Sequence, residues 1–185
     1  MCGPPCVAAA ASPLAYTAAG PLVWGVSPAM RLLHLYLSSE HNYFGHHGLA
    51  AGNAAMLEVP EATLVAGQGI EGDRFFGFKK DYKGQVTFFE EERYQMLCSQ
   101  FQVWDRPSSV FRRNLITEGQ DLNALIGKEF EIQGVRFLGM AECSPCHWMD
   151  KAFHPGAEAA LKDHGGLRAK ILTDGVLTAG GAPAG

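Results

Sequence analysis

Every apolar run in this chain is short. None approaches the ~18 uninterrupted residues of a membrane-spanning helix, and from Met30 onward glycine, proline or a polar turn closes each one within a few residues. The 22 glycines and 10 prolines supply many turns and disfavour a helical bundle. Strand-like runs fall at 31–37, 62–66, 85–89, 113–117, 128–132, 135–138, 168–173 and 176–178. Residues 128–132 alternate polar and apolar, and Gln133-Gly134 turns them into 135–138 as a hairpin. Asp174-Gly175 suggests a second hairpin, from 168–173 to 176–178. The period changes once: Tyr94, Leu97, Cys98 and Phe101 mark one face of a helix over 90–101. A shorter helix is expected over 157–164, with Gly165-Gly166 as its C-terminal cap. No regular βαβ alternation is visible. The expected fold is a mainly β sheet or barrel with a few short helices.

The 185 residues suit one domain. Charge is unevenly spread. Residues 1–30 hold 8 Ala, 5 Pro and 3 Gly but no charged residue, so all 34 charges lie beyond them. A signal peptide needs a basic start and an unbroken apolar run, and this segment has neither. It reads as a disordered leader or a mis-called start, with Met30 as the natural initiator and an export leader as the alternative. The net charge of −4 argues against a nucleic-acid surface while leaving room for a small anion pocket. No membrane partner is expected.

Cys98, Cys143 and Cys146 do not make a disulfide framework, and a reducing, cytoplasmic setting fits them better. Glu142-Cys143-Ser144-Pro145-Cys146-His147 is the densest polar cluster. Four readings compete for it. Cys-x-x-Cys-His matches c-type haem attachment, though export and a helical setting are missing. A thioredoxin-like dithiol would place Cys146 at a helix start but wants a βαβ context. Zinc would need Cys143, Cys146 and two of His147, His154 and His164. The fourth reading is a single reactive or metal-binding thiolate. Two inert, partly buried cysteines are the plain alternative.

Other polar groups recur along the chain. Gly72-Asp73-Arg74 sits in a glycine-rich turn. Phe111-Arg112-Arg113-Asn114 sets two guanidinium groups beside an amide, and arginine is a natural planar donor to phosphate. Asp121-Leu122-Asn123 with Gly127 looks like a short helical loop, and Gly165-Gly166-Leu167-Arg168 places Arg168 at a strand start. Taken in order with Cys143-Ser144-Pro145-Cys146 and Thr173-Asp174-Gly175, these motifs resemble the MOSC domain, the molybdenum cofactor sulfurase C-terminal domain. The resemblance covers about 30–180, leaving a leader at 1–29 and a tail at 181–185. It is to the small stand-alone members, and the stretch from His41 to Gly48 followed by Gly72 to Gly84 looks typical of one such subgroup.

The resemblance implies a β-barrel-like fold that binds molybdenum cofactor (molybdopterin) or carries sulfur for it. Cys146 matches the family's key cysteine, as metal ligand or reactive thiol. Arg112 and Asn114 match its Arg-x-Asn motif, which contacts the pterin phosphate or nearby groups. Asp73, Arg74 and Arg168 are expected to complete the cofactor site. Chemically, a thiolate is a soft ligand and a nucleophile toward persulfide sulfur. The implied role is molybdenum-dependent reduction or sulfur transfer, with an electron-donor protein or a cysteine desulfurase as partner. The chain has no ferredoxin-type cysteine run, so reduction needs a separate donor. Pyridoxal phosphate belongs to another domain of the long sulfurases, and this chain is not expected to bind it. The competing reading is a non-catalytic zinc or dithiol module built on Cys143 and Cys146.

Overall fold

The computed structural model describes residues 30–42, 50 and 52–180. The expected leader (1–29), the tail (181–185) and most of the 41–48 loop lie outside the described residues. The strands are β1 (Arg31–Leu37), β2 (Leu57–Glu58), β3 (Glu61–Val65), β4 (Gly69–Ile70), β5 (Val86–Glu90), β6 (Leu115–Glu118), β7 (Glu129–Ile132), β8 (Val135–Glu142), β9 (Leu167–Ile171) and β10 (Gly175–Thr178). Three short helices accompany them: α1 (Glu91–Phe101), α2 (His147–Ala152) and α3 (Ala157–Ala160). Ser108–Phe111 and Leu122–Leu125 form single 3-10 turns. All eight expected strands are present. β8 runs on to Glu142, and the two-residue strands β2 and β4 carry too little pattern to be read from sequence.

Seven strands form one curled sheet in the order β2-β1-β6-β5-β9-β8-β7, and three form a second in the order β10-β3-β4. The side-chain period of two sorts the residues between two cores. Leu35, Phe88, Leu115, Leu167 and Ala169 face inward and meet Leu64, Ile70 and Leu177 of the small sheet. Tyr36, Phe89 and Ile116 face outward, where Leu97 and Cys98 of α1 and Met149, Phe153 and Leu161 cover them. β5 is therefore buried at every residue, as expected of a strand covered on both faces. The result is mainly β and barrel-like, with helices confined to one outer face. No helix among the described residues is long and apolar enough to cross a membrane.

α1 begins with Glu91 and Glu92, whose charge suits a helix N-terminus, and ends where Gln102 adopts a left-handed conformation. It is the crossover between β5 and β6, which pair in parallel. Parallel neighbours require such a connection. One βαβ unit thus exists within an otherwise antiparallel sheet.

Two local expectations are corrected. Residues 168–178 do not form a hairpin. β9 is hydrogen-bonded by β5 on one side and β8 on the other, so it has no free edge for β10. β10 instead pairs with β3, from Gly175 opposite Leu64 to Thr178 opposite Glu61. The Asp174 carboxylate fixes that departure by accepting from the Ala66 amide at 2.7 Å. Nor do Gly165 and Gly166 cap a helix. α3 ends at Ala160, and the left-handed residue on its exit is Asp163 (φ 64°). The two glycines are required by close backbone approach. A Cβ at 165 would lie 2.4 Å from the Cys143 carbonyl oxygen, and one at 166 would lie 2.2 Å from that of Phe88.

Gly166 also has φ +107°, which L-residues avoid. Gly166→Ala combines that strain with an immovable backbone contact, and should destabilise the fold by about 3 kcal/mol or more. Urea unfolding measures it; a loss below about 1 kcal/mol would contradict the packing described.

Candidate functional site

Thr87 and Arg168 are register partners across β5 and β9. They alternate with the inward residues Val86, Phe88, Leu167 and Ala169, so both emerge on the outer, helix-bearing face. There they belong to the wall of a cavity of about 250 Å³. One side is Phe111, Arg112 and Arg113, another is Cys143, Cys146, Trp148 and Met149, and a third is Arg74, Phe75 and Tyr82, with His41 and Asn42 nearby. A wider depression of about 450 Å³ lies over Glu90, Glu92, Arg93 and Asp121. It holds no thiol or imidazole, and its Glu90 and Glu92 carboxylates are spent on Arg93 and on the amides of Leu122 and Gly119.

The cavity rests on a buried carboxylate. Asp73 Oδ2 accepts from Asn114 Nδ2 (3.0 Å), Arg74 Nη1 (3.2 Å) and the Ser38 amide (3.3 Å), while Oδ1 accepts from the Phe75 amide (3.1 Å). Asn114 completes its own bonding with Thr87 and Tyr36. Its Oδ1 accepts from the Thr87 amide and hydroxyl, and its Nδ2 also donates to the Tyr36 carbonyl. Asn114 and Asp73 are absent from the cavity wall. They join the end of β1, the turn after β4 and the start of β6 behind it, so they position the site.

The arginines face the cavity from different frames. Arg74 is buried beside Asp73, donates to the Arg112 carbonyl at 3.0 Å and lies 5.1 Å from the centre of the Phe75 ring. Burial, partly offset by Asp73, moves its pKa down. Arg112 has a left-handed backbone (φ 59°), and this turns successive side chains apart. Its guanidinium donates to the carbonyls of Ala54 (2.7 Å) and Glu40 (2.8 Å) and to the Ser38 hydroxyl (3.0 Å). Arg113 goes the other way, donating to the carbonyls of Phe111, Cys143 and Gly165 at 2.8–3.0 Å. Burial, with Arg74 nearby, lowers Arg112 to about 10, so it remains charged at neutral pH. Arg168 interacts with the Tyr82 hydroxyl, whose pKa is raised by burial against that partner's opposing pull. Four arginines thus contribute to the wall of one cavity with no carboxylate in that wall, Asp73 behind it pairing with Arg74. An anion entering it would relieve their mutual repulsion.

Cys146 is half-buried at the cavity wall and stands at the start of α2 in extended geometry (φ −148°, ψ 167°). Trp148, two residues on, donates to the Val110 carbonyl at 2.8 Å and ties α2 to the Ser108–Phe111 turn. Cys143 is buried and also reaches the wall. The run between the two cysteines has neither turn nor bend and lies against Gly165. The helical turn that a thioredoxin-like pair requires is absent. The thiolate zinc set is not assembled either. His154 stacks on Phe101, His164 contacts Asn123, and His147 lies with Asp150 and Glu158. Among the described residues, neither cysteine joins a cluster of three potential metal ligands.

The structure therefore brings Cys146, Arg74, Arg112 and Arg168 to one cavity and sets Asp73 and Asn114 behind it. Sequence reasoning raised Arg113 with Arg112 as a phosphate donor but carried only Arg112 into the site, and it did not single out Phe75, Tyr82, Trp148 or Thr87 as site residues. Phe75 follows Arg74 directly, and strand alternation puts Thr87 on the face opposite Val86 and Phe88; those were the available signals. The class is a β-barrel-like domain with a thiol and several guanidinium groups gathered on one outer face of its sheet. The model of the family described as MOSC domain matches residues 60–182, and the chain belongs to that family. Solved structures share the fold. The YuaD protein from Bacillus subtilis superposes with a TM-score of 0.64 at 15% identity, covering 81% of this chain and 91% of that one. YiiM from Geobacillus stearothermophilus gives 0.59 at 13% identity, covering 83% and 73%. YiiM from Escherichia coli gives 0.56 at 16% identity, covering 81% and 66%. A comparison with curated proteins finds no match.

A cation-lined cavity predicts anion-dependent stability. Orthophosphate should raise the melting temperature saturably, by an amount corresponding to about 2.7 kcal/mol at a hundred times its Kd, while sodium chloride of equal ionic strength should not. Arg168→Ala should abolish the response. Equal stabilisation by chloride, or an unchanged response in the variant, would contradict this reading.

Proposed function

We propose that the chain binds molybdenum cofactor in this cavity, with the Cys146 thiolate as the protein's ligand to the metal. The observation that carries the reading is one wall holding a soft donor and four cations together. The cofactor family's chemistry fits that wall. Thiolate is a soft, electron-rich sulfur donor to a metal. Guanidinium groups give planar, charge-assisted donors to a phosphate. The faces of Phe75 and Tyr82 offer apolar surface to a planar ring. When bound, the cofactor would supply two-electron redox chemistry that side chains lack.

The chain's own residues hold and orient. Arg168 and Arg112 attract the anionic part. Arg113 clamps the Cys143 and Gly165 carbonyls, so the segment leading to Cys146 cannot swing away. Arg74, pinned by Asp73, keeps Phe75 at the wall. Met149 and Trp148 line the same cavity as the thiol and give that side of it apolar surface. The family association extends to both reduction and sulfur carrying. Cofactor binding is the better reading because a simple sulfur carrier would leave the cationic wall without a task. Electrons for a reduction would come from a separate donor protein. Catalysis in a reducing, cytoplasmic setting is part of the same proposal.

Cys146→Ser should abolish molybdenum retention after purification, whereas Cys143→Ser should keep most of it, since Cys143, although it reaches the wall, is buried while Cys146 is partly exposed there. Molybdenum analysis of both variants, with circular dichroism confirming the fold, decides this. Equal loss from both would refute single-cysteine ligation.

A further inference from the structure

α2 presents two different surfaces. Met149 enters the second core and Trp148 borders the cavity. His147 and Asp150 stand three residues apart and so share another face of the helix. Glu158, in the first turn of α3, is brought to that face by the turn through Gly156. One donor atom from each of His147, Asp150 and Glu158 lies within 4.8 Å of the other two. The Asp150 carboxylate is already oriented: its Oδ1 accepts from the Glu158 amide at 2.7 Å. That bond, with smaller help from Gly156 and from His147 and His154, holds its carboxyl below the usual range. No hydrogen bond or ion pair among the described residues occupies the His147 ring or the Glu158 carboxylate.

We propose that His147, Asp150 and Glu158 form a site for a divalent transition-metal ion on the outward side of α2, separate from the thiol cavity. Its members are one imidazole and two carboxylates, so its charge in the neutral-imidazole state balances a divalent cation. A mixed nitrogen and oxygen set suits zinc, manganese or ferrous iron rather than the all-oxygen shells of calcium or magnesium. Metal–ligand bonds near 2.0–2.2 Å put neighbouring donors about 3–4 Å apart. Small rotamer changes bring the three donors there, and water takes the remaining positions. The arrangement adds a metal link between two short helices already joined by packing and by the Asp150–Glu158 amide hydrogen bond. It would fix the outer side of α2 while Cys146, at the start of that helix, serves the cavity. The proposal does not depend on the cofactor reading and involves no thiol.

Cobalt(II) is the probe, because its spectrum separates nitrogen and oxygen ligation from thiolate ligation. The full chain, stripped with chelator, should bind one equivalent with weak visible bands and no near-ultraviolet thiolate charge transfer. Glu158→Gln and His147→Gln should each weaken binding about a hundredfold. Cys146→Ser should leave it unchanged. Circular dichroism of each variant checks folding, and Glu158→Gln preserves the amide that bonds Asp150. A thiolate band at the first equivalent, no binding at millimolar cobalt, or unchanged affinity in Glu158→Gln would overturn the site.

Discussion

The Asp73 carboxylate is the constraint on which the rest of the site depends. It lies almost wholly out of solvent, beside an equally buried Arg74 guanidinium. Charges so placed persist only when paired and hydrogen-bonded. Here the pairing is met by residues from three parts of the chain: Ser38 after β1, Arg74 and Phe75 after β4, and Asn114 before β6. Satisfying one carboxylate therefore fixes three loops relative to one another. Those loops deliver Arg74, Arg112 and Arg113 to the cavity, while Arg168 reaches it from β9.

Arg113 exerts a second constraint of a different kind. It is a buried cation whose bonds all go to backbone carbonyls. Carbonyl dipoles solvate the guanidinium without cancelling its charge, so the cavity stays positive. The same bonds anchor the Cys143 and Gly165 segments against each other, where a side chain at Gly165 would strike the Cys143 carbonyl; Gly166 is crowded instead by the Phe88 carbonyl of β5. Charge, backbone crowding and the placement of Cys146 at the head of α2 are thus one arrangement. The sheet contributes by alternation, which sends Phe88 and Leu167 to the core and Thr87 and Arg168 to the cavity.

Much of this was legible in the sequence, for physical reasons that differ by element. Strands such as 128–132 announce themselves through period-two patterning, and α1 through Tyr94, Leu97, Cys98 and Phe101. The ordered motifs around Asp73, Arg112, Cys146 and Arg168 pointed to the right family and to residues that meet at one site. What was not legible is non-local. Gly165-Gly166 looks the same whether it caps a helix or admits a neighbouring carbonyl, and only Cys143 and Phe88 decide between them. Arg112 and Arg113 are adjacent and identical. The left-handed backbone at Arg112 sends one toward Ala54 and Glu40 and the other toward Cys143 and Gly165. Asn114 resembled a ligand donor, yet Thr87, Tyr36 and Asp73 consume its bonding capacity. The second hairpin failed because both edges of β9 were already taken, a fact held in β5 and β8.

The central claim is that a thiol and a group of guanidinium side chains are gathered to hold a molybdenum-bearing pterin. The direct measurement is elemental analysis of the full chain, purified from a host that makes the cofactor, with released pterin assayed on the same sample. The account predicts molybdenum and pterin in equal amounts approaching one per chain. A folded protein carrying neither, and taking up neither when incubated with released cofactor, would contradict it.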